Sequence, residues 1–224
     1  LALGIGANTA IFSVVDAVLL RPLAYRDSGR LVTILMNGDD PVSVANYIDW
    51  RDQSHSFAAM GAADYWSPNL TGINSPEHIA GLKVTQSLFP MLGIDPLLGR
   101  LFADGEDKEG ADREVILSYG LWQRRFSGDR NVLGKPIILD GNAYIVVGVM
   151  PKGFQFAPFW ATRAELWVPN AFGKRIHDRG GNSLRIFARL EDRVSLQQAR
   201  AEMAGITERL ERQFYQVQKM ETVG

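Results

Sequence analysis

The feature that most constrains this chain is the apolar stretch at its start, residues 1–23. The first part of it carries a single charged side chain, Asp16, and Pro22 then ends any helix at about that point. A bilayer span needs about 20 apolar residues. Thr9, Ser13 and Asp16 are spaced to share one helix face, which leaves the other faces apolar. We therefore predict that residues 1–23 form the end of a first transmembrane helix.

Two alternatives to a membrane helix stay open for this stretch. It could be a buried core helix of a soluble protein, or a signal peptide. A signal peptide needs basic residues before the apolar core and a small-x-small cleavage site after it, whereas Arg21, Pro22 and Leu23 follow here. The first residue is Leu, so we expect the sequence to be part of a longer polypeptide.

Composition then excludes several classes of function. The 224 residues are 46% hydrophobic and 22% charged, which is ordinary for a globular chain large enough to bury its own core. The net charge of −1 gives no basic footprint for nucleic acid. Cysteine is absent from the sequence, which excludes disulfides, thiolate metal sites and a cysteine nucleophile.

From residue 24 onward, short predicted strands alternate with helices. The dipeptide Asp140-Gly141 between two apolar runs predicts a tight hairpin, and Ser195 with Gln198 predicts a capping box that starts a long amphipathic helix. The predicted strands are Leu31–Met36, Phe57–Trp66, 78–85, 114–118, 137–139, 142–149, 165–169 and 183–190, and the predicted helices are 43–53, 86–92, Tyr119–Phe126 and the helix that follows Ser195.

This order of elements predicts an α+β protein. We expect a discontinuous α/β subdomain of βαβ units, made of residues 24–98 and 182–224. A smaller strand-rich subdomain, residues 99–181, is inserted into it, and the end of the transmembrane helix precedes both.

The sequence predicts no catalytic, cofactor-binding or metal site. His55, His78 and His177 lie far apart along the chain and lack the spacing of convergent metal ligands. The stretch 128–136 resembles a phosphate loop but has the wrong glycine spacing, and Pro136 stands where Ser or Thr would hold Mg²⁺. We therefore expect no cofactor in this segment, and ATP hydrolysis in a domain or subunit outside it.

An aromatic loop is the candidate for contact with a partner. Phe154, Phe156, Phe159 and Trp160 lie close together around two prolines with no regular periodicity. If exposed, these side chains form a contact patch. If buried, they belong to a loop packed on its own side chains.

Several motifs, taken together and in order, resemble the extracytoplasmic domain of MacB-like ABC-transporter permeases, most closely the large-permease branch from soil bacteria such as Acidobacteria. The motifs are LALGIGANTAIFS at 1–13, LLRPL at 19–23, YIDWR at 47–51, FPMLG at 89–93, LGR at 98–100, LSYGLWQRRF at 117–126, LDG at 139–141, VVGVMP at 146–151, LWVP at 166–169 and VSLQQA at 194–199.

The resemblance implies a non-catalytic periplasmic domain carried by the first transmembrane helix of a permease in the bacterial inner membrane. It implies an ABC ATPase on the same chain or a separate one, a periplasmic adaptor protein in some members, and a homodimer in the full transporter. The domain would couple ATP-driven helix motion to the periplasm, in efflux or mechanotransmission. Nucleic acid is not an expected partner.

An anchored periplasmic sensor, ligand-binding domain or hydrolase is the alternative function. It predicts a pocket in which some of Asp49, Asp52, His55 and His78 converge with perturbed pKa values.

Overall fold

The computed structural model describes residues 12–16, 25–36, 40–73, 75–156 and 163–221, with backbone alone for 12–16 and 215–221. These residues form one mixed sheet of twelve strands and four α-helices. The strands are β1 Phe12–Asp16, β2 Leu31–Met36, β3 Phe57–Trp66, β4 Asn69–Thr71, β5 Glu77–His78, β6 Gly81–Val84, β7 Leu98–Gly99, β8 Glu114–Leu117, β9 Pro136–Leu139, β10 Asn142–Val149, β11 Leu166–Pro169 and β12 Arg185–Leu190. The helices are α1 Val44–Gln53, α2 Leu88–Leu92, α3 Tyr119–Phe126 and α4 Leu196–Glu221.

The sheet has the strand order β1-β2-β12-β3-β6-β11-β8-β10-β9-β4-β5, with β7 paired to β10. Two neighbouring pairs, β6 with β11 and β8 with β10, are parallel, and the others are antiparallel. The α+β class predicted from the sequence is therefore confirmed. The predicted division into residues 24–98 with 182–224 and residues 99–181 stays a prediction.

The part of the sheet from β3 to β4 must curl. Along the sheet these strands are separated by six inter-strand gaps, which at about 4.8 Å each would place them about 29 Å apart if flat. Only Ser67 and Pro68 join them in the chain, and this link spans at most about 10 Å. The rings of Trp66 on β3 and Tyr144 on β10 accordingly lie 5.6 Å apart between centroids, although three strands separate β3 from β10 in the sheet.

Three groups of buried side chains stabilise this arrangement. Under α1 and α4, Trp50 and Met203 pack on Ile34 and Ile186 of the sheet. On the opposite face the cluster around α2 includes Phe89, Trp167 and Phe187. Inside the curled part, the cluster includes Leu70, Leu117, Leu121 and Leu139. β12 contributes to two of the clusters because Ile186 and Phe187 are consecutive residues of a strand and point to opposite faces.

The sequence-predicted local signals are confirmed where the structure describes them. Asp140 and Gly141 have φ values of 48° and 76°, as a two-residue hairpin turn requires. The Gln198 side chain accepts a hydrogen bond from the Ser195 N–H (2.8 Å), and Ser195 Oγ accepts one from the Gln198 N–H (3.2 Å), which completes the predicted capping box.

The helix prediction for residues 1–23 is wrong over Phe12–Asp16, which form β1. This strand pairs antiparallel with β2, from Phe12 opposite Met36 to Asp16 opposite Val32. β2 has its other neighbour, β12, on the opposite side, so β1 pairs with an edge that would otherwise be open. Phe and Val are also residue types that favour strands. Residues 1–11 and 17–24 of the predicted helix lie outside the described residues.

Candidate functional site

The segment of residues 25–30, which leads directly into β2, is held by hydrogen bonds from distant parts of the chain. Arg189 of β12 donates to the backbone carbonyls of Arg26 (2.6 Å) and Asp27 (3.2 Å). The same guanidinium donates to the carbonyl of Met91 in α2 (2.9 Å). One side chain therefore joins the 25–30 segment, α2 and β12.

Both ends of the 25–30 segment carry a further attachment. At its end, Arg30 Nε donates to the carbonyl of Leu190 (3.1 Å), and the same guanidinium pairs with Asp192. At its beginning, Tyr25 Oη donates to the carbonyl of Gln155 (3.0 Å). The segment is thus fixed to the end of β12 on one side and to the loop that follows β10 on the other.

The position of Arg189 follows from the geometry of a β-strand, in which every second side chain points to the same face. Residues 185, 187 and 189 of β12 share the face on which Phe187 packs in the cluster around α2. Burial lowers the pKa of Arg189; Asp27 acts against this, while Arg30 and Arg26 lower it further. The guanidinium nevertheless stays charged at any physiological pH, and its planar fork of donors suits several carbonyls at once.

A solvent-open groove of about 620 Å³ lies where α3 begins, and we call it the α3 groove. Its walls come from the residues around β5, the first turn of α3, the loop after β10 and the approach to β11. The lining residues are His78, Ala80, Ser118, Tyr119, Gly120, Pro151, Gly153, Phe154, Gln155, Arg163, Ala164 and Glu165. Ser118 Oγ accepts the Leu121 N–H (3.0 Å), so this hydroxyl serves as the helix cap.

Glu165, the acidic residue among the described lining residues of the α3 groove, takes part in a group of ion pairs. Glu165 accepts two hydrogen bonds from Arg124, at 2.7 and 2.9 Å. Glu77 of β5 pairs with Arg124 at 2.7 Å and with Arg125 at 3.1 Å. The hydrogen bond to Glu165, with that to Glu77, raises the pKa of Arg124 despite the opposing effect of burial.

The structure describes two of the four residues of the aromatic loop that was predicted as a partner contact. Phe156 is 2% exposed, and its ring lies 5.3 Å from that of Phe187, so this side chain belongs to the core. Phe154 is half-buried, with its ring 5.6 Å from that of Trp167, and it also lines the α3 groove. Phe159 and Trp160 lie outside the described residues. A contact between this loop and a partner stays a prediction.

The acidic and histidine residues of the alternative function do not converge. Asp49 on α1 pairs with Arg179 at 2.5 Å, and Asp52 on the same helix pairs with Arg51 at 2.7 Å. His55 follows α1 with its side chain 87% exposed. His78 lies in β5 and lines the α3 groove, whose lining residues include none of Asp49, Asp52 and His55.

No cluster of three or more His, Asp or Glu side chains suited to a metal ion occurs among the described residues. Within the same part of the chain, no helix has both the length and the apolar character needed to cross a membrane.

Comparison with known proteins shows which family this domain belongs to. Residues 1–206 match the model of the MacB-like periplasmic core domain family. The chain belongs to this family. It is therefore an extracytoplasmic domain of an ABC-type transporter permease, a class of membrane-anchored transporters that work with ABC ATPase partners and whose periplasmic domains are generally non-catalytic.

Solved structures share the MacB-like fold at low sequence identity. The periplasmic region of MacB from Actinobacillus actinomycetemcomitans is 16% identical, with a TM-score of 0.60 over 76% of this chain and 75% of that one. The extracellular domain of the noncanonic ABC-type transporter YknZ from Gram-positive bacteria is 19% identical, with a TM-score of 0.55 over 72% and 78% of the two chains.

A domain of a putative permease from Porphyromonas gingivalis is 13% identical, with a TM-score of 0.60 over 80% of this chain and 81% of that one. No curated protein matches this MacB-like chain.

Sequence reasoning missed the arginines that hold the 25–30 segment of this MacB-like domain. Arg189 and Arg30 make their contacts with residues more than 90 positions away in the chain, which no local pattern encodes. One signal was present: Arg189 is a charged residue on the same face of a predicted strand as the apolar Phe187. Such a residue needs hydrogen-bond partners from neighbouring elements.

Proposed function

We propose that this domain transmits ATP-driven motion of the permease's membrane part to the periplasm, as a non-catalytic element of an efflux or mechanotransmission system. The observation that carries the proposal is the attachment of the 25–30 segment by Arg189, Arg30 and Tyr25. A segment fixed in this way cannot move alone. Its displacement carries β12, α2 and the loop after β10 with it.

The energetics of the attachment support transmission by a rigid body rather than by a flexible tether. Each hydrogen bond to a charged group contributes about 1.5–3 kcal/mol. Arg189 and Arg30 together supply several such bonds, and β2 continues from the segment into the sheet without an intervening loop. Motion of packed elements as rigid bodies is a known mode of conformational switching.

The proposal includes partners that act outside residues 1–224. We expect ATP to be bound and hydrolysed by the ABC ATPase, with no cofactor in this segment. We also expect an inner-membrane location with the domain facing the periplasm or cell exterior, a homodimeric permease, and a periplasmic adaptor in an efflux assembly.

The test is to separate ATP hydrolysis from transport in the full-length permease with its ATPase, reconstituted in liposomes. In the variant Arg189→Gln the carbonyls of Arg26, Asp27 and Met91 lose the shared donor. We expect ATP hydrolysis within about twofold of wild type, while transport per ATP falls about tenfold. Wild-type transport per ATP in this variant would contradict the proposal.

A matched control distinguishes the loss of the attachment from a general loss of stability. Leu121→Ala deletes a fully buried side chain in the curled part of the sheet, away from the 25–30 segment. This type of truncation costs about 2–5 kcal/mol. At a temperature where both variants remain folded by circular dichroism, we expect Leu121→Ala to keep its transport per ATP. Equal loss in both variants would show that destabilisation, not the attachment, causes the effect.

A further inference from the structure

The α3 groove has no role in the proposed transmission, and its lining contains one cation, Arg163, and one carboxylate, Glu165, among the described residues. Arg163 is an exposed lining residue, and within the described part of the chain its guanidinium has no hydrogen-bond or ion-pair partner. Lys152 stands between the lining residues Pro151 and Gly153, is exposed, and likewise has no partner among the described residues. Arg163 in the lining and Lys152 beside it are therefore two exposed cations without a partner among the described residues.

Two acidic residues described at the groove, Glu165 and Glu77, are already paired with arginines. Both carboxylate oxygens of Glu165 accept hydrogen bonds from Arg124. Glu77 lies between Arg124 and Arg125 and pairs with both. Within this cluster the two carboxylates and the two guanidinium groups cancel in charge. Lys152 and Arg163 then leave the groove with a positive excess, which favours an anionic ligand.

The shape of the groove favours a segment of a larger chain over a small molecule. Small-molecule sites enclose most of their ligand, whereas this groove is open to solvent. The first turn of α3 leaves room in it, because a Cβ added to Gly120 would meet only Ser118 Oγ, at 3.9 Å. The half-buried ring of Phe154 adds an apolar wall beside the basic rim.

We propose that the α3 groove binds an acidic peptide segment of a partner protein. Its carboxylates pair with Arg163 and Lys152, and an apolar side chain between them packs on Phe154. Solvent-exposed ion pairs are worth about 0.2–1 kcal/mol each, so the interaction is weak and reversible for an isolated peptide. Because Tyr25 hydrogen-bonds to Gln155, another lining residue, the bound segment would lie beside the attachment of the 25–30 segment.

The test uses the ¹⁵N-labelled 224-residue chain and the blocked peptide acetyl-Asp-Glu-Leu-Asp-Glu-amide, followed by NMR titration. We expect shifts of the backbone amides of Gly120, Gly153 and Phe154. In Lys152→Gln/Arg163→Gln the dissociation constant should rise about tenfold, which is what the loss of two such pairs amounts to. The peptide acetyl-Asn-Gln-Leu-Asn-Gln-amide, which lacks the carboxylates, should produce no saturable shifts.

The control variant Lys108→Gln/Arg130→Gln removes the same net charge from exposed positions outside the groove. We expect it to bind the acidic peptide within twofold of wild type. An equal loss in this variant, or shifts elsewhere on the domain, would overturn the proposal. Citrate producing the same shifts at lower concentration than the peptide would also overturn it, by assigning the groove to a small carboxylate. None of these results bears on the transmission proposal, whose test depends on Arg189.

Discussion

At the scale of single residues, Glu202 shows how one carboxylate can join two elements of this domain. It lies on α4, and its two oxygens accept the backbone N–H groups of His55 (2.8 Å) and Ser56 (2.8 Å), which follow α1. Burial by itself would raise the pKa of Glu202. The hydrogen bonds from Ser56 and His55 outweigh that effect, so the pKa lies below its usual range.

The stability of the domain should therefore depend on Glu202 in a defined pH window. A lowered pKa in the folded state means that the carboxylate stabilises the fold above its unfolded-state pKa of about 4.5. This stabilisation is lost as the pH falls from there through the folded-state pKa. We expect Glu202→Gln to lower the free energy of unfolding by about 1–2 kcal/mol at pH 7, and by much less at pH 3.5, as measured by urea denaturation.

A control on the same helix separates the hydrogen bonds from the charge. Among the described side chains Glu208 pairs with Arg212 alone, one turn away, and both are largely exposed. Such helix pairs are worth about 0.3–0.5 kcal/mol. Glu208→Gln should therefore change the stability by less than about 0.5 kcal/mol at either pH. A pH-independent effect of Glu202→Gln would contradict the hydrogen-bond explanation.

Residue-scale features were predictable from the sequence when their partners are close along the chain. Ser195 with Gln198 and Asp140 with Gly141 are three and one positions apart, and both predictions are confirmed. The roles of Glu202 and Arg189 depend on partners brought near by the fold. The partners of Glu202 lie 146 and 147 positions away, so its role could not be inferred before the topology was known.

At the scale of elements, the packing of α2 on β3 depends on the absence of a side chain at Gly61. A Cβ at this position would lie 2.9 Å from the Cα of Leu88 in α2, which is closer than real Cβ contacts. The obstructing atom belongs to the backbone, so no rotamer change can relieve the contact. The helix would have to shift, and Phe89 would move with it out of its place in the cluster around α2.

Two glycine-to-alanine substitutions should therefore have opposite effects on stability. Overpacking at Gly61 is expected to cost about 1–3 kcal/mol in Gly61→Ala. Gly205 lies inside α4 with no atom within 4 Å of an added Cβ, so Gly205→Ala should stabilise by about 0.5–1 kcal/mol. Thermal unfolding of both variants tests this, and a stabilised Gly61→Ala would show that α2 is not held as closely as described.

The bounds of a strand or helix could be predicted from the sequence where the conformational preference of its residues agrees with their pattern of burial. Leu31–Met36, Phe57–Trp66 and Tyr119–Phe126 have the predicted bounds. Two predictions differ from the structure. Residues 78–85, predicted as one strand, are divided between β5 and β6, and β1 lies in an apolar stretch that was predicted from its length to be a membrane helix. The pairing of β1 with the edge of β2 is a tertiary contact, and the spacing of apolar residues along the sequence carries no information about it.

At the scale of the whole molecule, the question is whether the sheet behaves as one unit. The parallel pair β6–β11 joins the two predicted subdomains in the middle of the strand order. The cluster around α2 also combines Phe89 and Phe187 from one predicted subdomain with Ile116 and Trp167 from the other. The sequence suggested an insertion from the order of its predicted elements, but strand order is a long-range property that a single sequence does not show.

We expect the described part of the chain to unfold cooperatively, and a core truncation in the curled part of the sheet tests this. Leu121→Ala should lower the global free energy of unfolding by about 2–5 kcal/mol, a large share of the 5–15 kcal/mol typical of a domain. Native-state hydrogen exchange then measures the opening free energy of slow amides in β3 and β12. If the sheet is one cooperative unit, these distant amides lose the same free energy as those in β8 and β10.

The milder variant Ile137→Val, in the same cluster as Leu121, keeps the experiment interpretable if Leu121→Ala does not fold. It should cost about 0.5–1.5 kcal/mol. Loss of protection confined to β8, β9, β10 and β11 in either variant would show that residues 99–181 open as a separate unit. Such a unit could move relative to β12 and α2, and the motion delivered through the 25–30 segment would then end at β6. An equal loss of opening free energy throughout the sheet means instead that the 25–30 segment, the cluster around α2 and the α3 groove move as one body.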